Sequence, residues 1–237
     1  MQEREELRKY AAEFTGSFML VLFAAGSVMA SDMLDAGPVQ IIGGAASGLV
    51  LMIIIWIFAG VSGGHVNPAL TLALAVIGRF PFRLLPGYIV SQLAGSACAG
   101  LCLLWMLGNS GQMGANLPNA GLGIGPLQAF SIEIVLSFIM MVVIMGAVML
   151  PDSLKHLAPV PIGAIVGIEV MLFGGIAGAA MNPARAFGPF LALGDWQYFW
   201  IYLLGPVAGI TVAAVLFCVI FLNRPYFLDR KSIKQSE

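Results

Sequence analysis

The sequence predicts an all-α membrane protein with six transmembrane helices and two shorter helices that enter the membrane and turn back. Of the 237 residues, 59% are hydrophobic and only 10% are charged, whereas a soluble domain has about 25% charged residues. The apolar residues form six long stretches, and one membrane crossing needs about 20 such residues. These stretches leave almost no length for a soluble domain, so we expect a single membrane domain over residues 1–237.

The six predicted spans follow one another with short connections. Two further apolar stretches, residues 68–77 and 183–193, are too short to cross, because a helix rises about 1.5 Å per residue and the apolar core of a bilayer is about 30 Å thick. Each is therefore predicted to enter the membrane and return. Segment 1–10 contains three glutamates, which are not expected in the basic leader of a secretory signal, so it is interpreted as a cytoplasmic tail. The six spans are residues 13–30, 41–59, 84–107, 127–150, 159–173 and 199–222.

The distribution of basic residues predicts the orientation, since Lys and Arg near span ends stay on the cytoplasmic side of a membrane. With both termini cytoplasmic, every basic residue except Arg185 falls on that side, and loops 31–40 and 108–126 contain neither Lys nor Arg. We expect an integral, multi-pass protein of the plasma (inner) membrane, surrounded by the lipid bilayer. Arg185 lies at membrane depth, where a charge indicates a functional site; the alternative is a surface arginine on a misassigned loop. The residues assigned to the cytoplasm are Arg4, Arg8, Lys9, Arg79, Arg83, Lys155, Arg224, Arg230, Lys231 and Lys234.

An internal repeat organises the chain. Each half has three spans, which is an odd number, so the second half must start on the opposite side of the bilayer. The repeats, residues 11–107 and 127–222, are therefore predicted to be inverted, with their short helices entering from opposite faces. Three pairs of segments match: HVNPALTLAL (65–74) with AMNPARAFGP (180–189), AEFTGSF (12–18) with IEIVLSF (132–138), and YIVSQLAG (88–95) with YLLGPVAG (202–209).

The Asn-Pro-Ala (NPA) sequence in each half predicts a helix start. Proline fits the first helical turn, where its missing N–H costs nothing, and asparagine is among the best N-caps. The two helix tips are expected to meet near the bilayer midplane, where the small alanines permit a close approach. The residues of the two motifs are Asn67, Pro68, Ala69, Asn182, Pro183 and Ala184.

Two such tips that face a narrow lumen favour neutral solutes. Each helix N-terminus carries about half an elementary charge, so the pair repels cations. The amides of Asn67 and Asn182 offer N–H donors to the oxygen of a passing molecule, and water held in this way cannot accept a proton from its neighbour. We expect exclusion of protons and ions. The glycine-rich segments 61–65 and 174–180 are predicted to be non-helical and to line one wall with carbonyls; the alternative is a pair of flexible linkers.

Glu13 and Glu133 occupy matching positions of the two repeats. Each carboxylate is predicted to accept hydrogen bonds from N–H groups of a re-entrant segment; the alternative is a proton relay, as in a coupled transporter. Glu169 has no counterpart in the first repeat, and the sequence does not place it. His65 is predicted to edge the pore. Because His156 is the only other histidine, no metal site and no other cofactor is predicted.

Several other classes of protein are excluded. A net charge of −1 and a pI near 6.1 indicate no basic surface for nucleic acid. There is no nucleophile with a base, no metal-ligand set and no phosphate-binding loop, so an enzyme is not expected. Cys98, Cys102 and Cys218 all lie in apolar runs, which is typical of small buried side chains rather than of a disulfide framework.

The two boxes SGGHVNPA and AAMNPAR resemble those of the major intrinsic proteins, the aquaporin and aquaglyceroporin family. The resemblance covers residues 13–222. It implies a six-span fold with two half-helices and one pore per subunit, in a homotetramer. It also implies an outer constriction, the selectivity filter, which has four positions. Their spacing from the NPA asparagines transfers them to Ser47, Val170, Ala179 and Arg185.

Departures from the family pattern predict a wide filter. Water-selective members resemble one another in having an aromatic residue and a histidine where this chain has Ser47 and Val170. Ala186 stands where glycerol channels usually carry Asp, and Tyr202 with Leu203 is similar to the nodulin-like intrinsic proteins and related bacterial channels, which pass neutral metalloid hydroxides and small polyols.

The predicted function is a passive channel for water and small uncharged solutes, with glycerol, urea, and boric, arsenous or related hydroxides as candidates. One alternative is a mainly water-selective channel, in which neighbouring side chains or ordered water fill the filter. A proton-coupled transporter that uses Glu13 or Glu133 and a structural junction protein with a closed pore are the others.

Overall fold

A computed structural model describes residues 2–222, and this part of the chain folds into eight α-helices. All but α3 and α7 belong to segments long and apolar enough to cross a membrane. The predicted all-α membrane fold with six spans and two short helices is confirmed. The helices are α1 (Gln2–Met33), α2 (Val39–Phe58), α3 (Pro68–Val76), α4 (Leu85–Leu107), α5 (Pro126–Val148), α6 (Pro159–Ala177), α7 (Pro183–Leu193) and α8 (Phe199–Phe221).

Two helix bounds differ from the predicted ones by more than three residues. Helix α1 begins at Gln2, not near residue 13, because the charged N-terminal residues are good helix formers and no glycine or proline interrupts them. Helix α6 continues to Ala177 and ends at Gly178, whose φ is +97°. The prediction that the whole segment 174–180 is non-helical was therefore wrong. The basic residues Arg224, Arg230, Lys231 and Lys234 lie outside the described residues.

The two halves of the chain make matched contacts. Helix α1 packs against α2 and α4, and α5 packs against α6 and α8. Helix α2 also packs closely against α6, which joins the halves. The short helix α3 packs against α8 and the short helix α7 packs against α4. The third span of each half therefore supports the short helix of the other half.

The outward faces of the spans are covered by large apolar side chains. Trp105 is 85% exposed, Leu127 is 74% exposed and Leu49 is 59% exposed. Exposure of so many large apolar side chains to water is unfavourable, whereas the hydrocarbon of a bilayer solvates them. The exposed faces thus belong in lipid or against another protein, while polar residues such as Glu13, Gln92 and Asn182 are buried inside.

Glycines let α2 and α6 approach until their backbones touch. A Cβ atom added at Gly48 would lie 2.7 Å from the carbonyl oxygen of Gly163, and one added at Gly163 would lie 2.5 Å from the carbonyl oxygen of Gly48. Small residues at helix contacts are how membrane helices gain van der Waals packing in the absence of a hydrophobic drive. This contact fixes the spacing of the two helices that carry Ser47 and Val170.

We predict that Gly163→Ala destabilises the protein by about 1–3 kcal/mol, because the new methyl group overpacks the contact with α2. The measurement is the midpoint of thermal unfolding in detergent micelles. Gly146→Ala is the matched control, since a Cβ atom there meets no heavy atom within 4 Å, and alanine is the better helix former. Equal midpoints for the two variants would show that the α2–α6 contact is not tight.

Candidate functional site

The two short helices meet at their N-termini. Asn67 caps α3, and its Oδ1 accepts hydrogen bonds from the backbone N–H groups of Ala69 at 3.0 Å and Leu70 at 3.3 Å. Asn182 caps α7, and its Oδ1 accepts from Ala184 at 2.9 Å and Arg185 at 3.3 Å. Pro68 and Pro183 each occupy the first helical turn. The NPA sequence forms the same local cap in both halves.

Each cap is also bound to the other half of the molecule. Asn67 Nδ2 donates to the carbonyl oxygen of Met181 at 2.9 Å, and Asn182 Nδ2 donates to the carbonyl oxygen of Val66 at 2.8 Å. An amide group has two N–H donors, so this exchange uses one donor of each asparagine. A second N–H remains on each side chain for a molecule in the adjoining cavity.

A cavity of about 580 Å³ runs beside the two helix tips. One part of its wall is polar and includes His65, Asn67, Asn182 and Arg185. The other part is formed mainly by aliphatic and methionine side chains from the long spans: Leu20, Leu51, Ile55, Met140, Ile144, Met145, Ile162 and Val166. A solute in this cavity therefore meets a few hydrogen-bonding groups within a mainly apolar wall.

The four positions taken from the family spacing, Ser47, Val170, Ala179 and Arg185, all line this cavity. Ser47 Oγ donates to the carbonyl oxygen of Gly43 at 2.7 Å, so its hydrogen serves its own helix. The Val170 side chain is half-buried and has no donor to offer. Arg185 is the group of the four with N–H donors in its side chain.

Arg185 is held by the loop of residues 108–125, which joins α4 to α5. Its Nη1 donates to the carbonyl oxygen of Gly114 at 2.7 Å and to Oδ1 of Asn116 at 2.6 Å. Arg185 as a whole residue is only 9% exposed. Sequence reasoning did not identify Gly114 or Asn116, because nothing in the order of a glycine-rich loop indicates which residue faces a distant arginine.

The same loop donates hydrogen bonds to carbonyls in the last turn of α6 and to the carbonyl of Gly178, just beyond that helix. Asn119 donates through its backbone N–H to the carbonyl of Ile176 at 3.0 Å and through Nδ2 to the carbonyl of Gly175 at 2.8 Å. Asn116 Nδ2 donates to the carbonyl of Gly178 at 2.7 Å. The expected ladder of carbonyl acceptors is shorter than the sequence suggested, because these three groups already have protein donors.

Glu13 lies beneath the segment that leads into α3 and is fully buried. Its Oε1 accepts from Ser62 Oγ at 2.7 Å and from the backbone N–H of His65 at 3.0 Å. Its Oε2 accepts from the backbone N–H of Val66 and from Gln92 Nε2, both at 2.7 Å. Both oxygens are thus occupied by donors of the protein. Gln92 was not anticipated, although a glutamine in an apolar span is the signal that could have found it.

Glu133 occupies the corresponding place in the second half and is also fully buried. It accepts from the backbone N–H groups of Ala180 at 2.7 Å and Met181 at 2.9 Å. Pro206 stands where the first half has Gln92, so the second carboxylate has fewer donors. Glu169, on α6, is 3% exposed, and neither of its oxygens has a hydrogen-bond partner within residues 2–222.

Both re-entrant segments contain strained backbone next to the asparagine caps. Val66 has φ of +42° and Met181 has φ of +52°, values that residues with a Cβ rarely adopt. The N–H of each is bound by a buried glutamate, and the carbonyl of each is bound by the asparagine amide of the other half. Hydrogen bonds from both sides therefore hold these peptide units in place.

His65 lies on the cavity wall next to the α3 cap. Its Nδ1 is 3.2 Å from Thr71 Oγ1, and its ring packs against Phe80 and Tyr88. The histidine thus presents one edge of its ring to the cavity and is fixed by its neighbours. Within residues 2–222, no group of three or more His, Cys, Asp or Glu side chains could hold a metal ion.

Two N-capped half-helices meet tip to tip beside a cavity with polar and apolar lining residues. They lie among six helices that are long and apolar enough to span a membrane. This arrangement is that of a membrane channel. The sequence model of the family described as Major intrinsic protein matches residues 1–217. The chain belongs to this family, whose members are channels for water and small solutes rather than enzymes. The expected resemblance is confirmed.

Relatives found by sequence agree with this assignment, and a solved structure has the same fold. Aquaporin NIP1-3 of Oryza sativa subsp. japonica is 35% identical over 220 residues, which cover 92% of this chain and 76% of that protein. Nodulin-26 of Glycine max is 34% identical over 232 residues, which cover 95% and 83%. The fold is similar to the X-ray structure of the aquaglyceroporin from Plasmodium falciparum, with a TM-score of 0.78 and 24% identity over 94% of this chain and 99% of that one.

We predict that Glu133→Gln lowers the stability of the folded protein by about 1–3 kcal/mol, since the new NH₂ group faces a backbone N–H and leaves a buried donor unpaired. The measurement is again the thermal midpoint in detergent. Ser137→Ala, one turn along α5, is the control because Ser137 Oγ is buried without a partner within the described chain. If both variants melt together with the wild type, Glu133 does not support the re-entrant segment.

Proposed function

We propose that the chain is a passive channel for water and small uncharged solutes, among them glycerol, urea and neutral metalloid hydroxides, and that it excludes protons and ions. The observation that carries this proposal is the pair of caps. Asn67 and Asn182 each keep one amide N–H beyond the bond that links the two halves, and both side chains line the same cavity. Two such donors bind the oxygen of a water or hydroxyl group and turn its hydrogens away.

The charges around the cavity support the exclusion of cations and protons. The two helix N-termini direct their partial positive charges at the lumen, and Arg185 adds a full positive charge. Among the described residues that line the cavity there is no Asp or Glu. A cation would have to leave water without gaining a carboxylate.

The bonding of Glu13 argues against a proton-coupled transporter. Each of its oxygens already accepts two hydrogen bonds, three of the four coming from His65, Val66 and Gln92. A proton relay needs a carboxylate that alternates between partners, whereas both oxygens of this one are occupied by hydrogen bonds that stabilise a strained backbone. Glu133 likewise accepts from two backbone N–H groups. We assign both residues a supporting role.

The width of the proposed selectivity filter favours solutes larger than water. Ser47 and Val170 are small for positions on a constriction, Ala179 adds only a methyl group, and Arg185 provides N–H donors for hydroxyl oxygens. An open filter with one strong donor suits glycerol, urea and hydroxides of boron or arsenic. The names of relatives such as Aquaporin NIP1-3 favour water as a further permeant.

We further propose that the whole chain, residues 1–237, forms one channel domain built from two inverted repeats, 11–107 and 127–222. The reciprocal bonds between the caps and the matched packing of α3 on α8 and α7 on α4 support this arrangement. We propose a homotetramer with one pore per subunit in the plasma (inner) membrane, with both termini cytoplasmic. The lipid-compatible outer surface and the distribution of basic residues support this placement.

We predict that purified protein in liposomes raises the permeability to water, glycerol, urea and arsenous acid above that of empty vesicles. A pore has no binding step that must be completed in each cycle, so the flux should rise linearly with solute concentration and ignore a proton gradient. Stopped-flow light scattering after an osmotic step measures all four permeabilities.

The outcomes separate the competing functions. Saturation together with dependence on a proton gradient would identify a coupled transporter. Fast water flux with the other solutes at the level of empty vesicles would identify a water-selective channel. The absence of any flux would leave only a structural role for the pore.

We also predict that Ser47→Phe combined with Val170→His lowers glycerol and urea permeability more than water permeability, because both larger side chains narrow one constriction. The measurement is the ratio of solute to water permeability in the same liposomes. Leu49→Phe is the control, since Leu49 lies on the same helix and is 59% exposed. An equal loss of water and solute flux would contradict the assignment of the filter to these positions.

A further inference from the structure

The loop of residues 108–125 is attached to the helices near its start by one exposed and one buried contact. Near its start, Asp32 Oδ2 accepts from Ser110 Oγ at 2.6 Å and from the backbone N–H of Gly111 at 2.8 Å. Met113 follows and is fully buried in an apolar cluster that includes Met29 and Leu103. These contacts attach the start of the loop to α1 and α4, and residues 114–116 follow directly and reach Arg185.

Asn116 is the residue of this loop that joins the filter arginine to the re-entrant segment. It is 2% exposed. Its Oδ1 accepts from Arg185 Nη1 at 2.6 Å, and its Nδ2 donates to the carbonyl oxygen of Gly178 at 2.7 Å. Gly178 immediately precedes Ala179, which lines the cavity. The side chain of Asn116 thus binds both Arg185, which lines the cavity, and Gly178, the residue before a lining residue.

The contact with the loop occupies N–H donors on one nitrogen of the Arg185 guanidinium. A guanidinium has five N–H donors, of which Nη1 carries two. Both acceptors within reach of Nη1, the Gly114 carbonyl and Asn116 Oδ1, belong to the loop. The planar group is therefore held to the loop through one nitrogen, while Arg185 itself lines the cavity.

The chemistry of an amide suits this task. An aspartate at the same place would also accept from Nη1, but its charge would cancel much of the positive charge that the filter presents. Asparagine holds the guanidinium through a neutral acceptor, so Arg185 keeps its full charge. A single-point attachment to Gly114 alone would let the group rotate toward the carbonyls on the cavity wall and narrow the lumen.

We infer that Asn116 is a positioning residue that holds Arg185 against the loop and thereby keeps the filter open to solutes larger than water. This inference rests on the proposed channel function. Asn116 is assigned no contact with the permeating molecule; it acts through Arg185. Its removal should therefore change the discrimination between solutes more than the passage of water.

The test compares four proteins in liposomes by stopped-flow light scattering: the wild type, Asn116→Ala, Asn116→Asp and Asn119→Ala. Asn119 is the matched control, because it lies in the same loop and its side chain binds the carbonyl of Gly175 in the last turn of α6, but it does not bind Arg185. The readout is the ratio of glycerol to water permeability. Loss of folded protein alone lowers both permeabilities together and leaves this ratio unchanged.

We expect Asn116→Ala to lower the ratio by about tenfold, as loss of one hydrogen bond to a charged group shifts an equilibrium by at least that factor. Asn116→Asp keeps the acceptor for Nη1 but loses the donor to Gly178, so it should restore the ratio to within about threefold of the wild type. Asn119→Ala should leave the ratio unchanged.

Three results would overturn the inference: an unchanged ratio in Asn116→Ala, the same fall in Asn119→Ala, or no restoration by Asn116→Asp. If Asn116→Ala is not recovered in folded form, Asn116→Ser replaces it, because the shorter hydroxyl cannot reach Nη1. Failure of the proposed function is a separate outcome, since the wild type itself would then conduct neither water nor glycerol.

Discussion

Irregular backbone inside a membrane must bind its polar groups within the protein, because lipid has no donors or acceptors. The pore depends on how this chain meets that constraint. Buried carboxylates of Glu13 and Glu133 accept the N–H groups next to each cap, and the amides of Asn67 and Asn182 bind the carbonyls across the midplane. These bonds hold peptide units of positive φ in place. The positions of the two helix tips, and of the cavity wall that they form with Arg185, depend on these bonds.

The two halves solve the same problem with different partners. In the first half, the carboxylate of Glu13 has four donors, two of them from side chains. In the second half, Glu133 has two backbone donors, and the loop of residues 108–125 adds hydrogen bonds from the other side of the segment. The half that contains Arg185 is thus the one stabilised by a loop.

Much of the fold could be predicted because its signals are local. Membrane spans are apolar runs of a given length, and the order Asn-Pro-Ala contains both the cap and the first turn of its helix. The end of α6 was missed because glycines 174 and 175 suggested a break, whereas the helix ends only where Gly178 adopts a positive φ. The part played by Asn116 was missed for another reason. Its partner Arg185 is 69 residues away, and no periodicity links a loop to a helix at that distance.

By itself, the sequence determined the number of spans, the two capped half-helices, the repeat that relates them and the family to which the chain belongs. Each of these depends on hydropathy, on residue order or on a motif, and such properties are written along the chain. Only the tertiary structure decided which donors remain free. Each asparagine cap donates one amide N–H to a carbonyl of the other half. Nη1 of Arg185 donates to two acceptors of the loop, and the loop also donates to carbonyls near α7. A donor or acceptor that is bound to a distant segment of the protein is not available to a solute. A pore can therefore offer a solute only the donors and acceptors that have no partner in the folded chain.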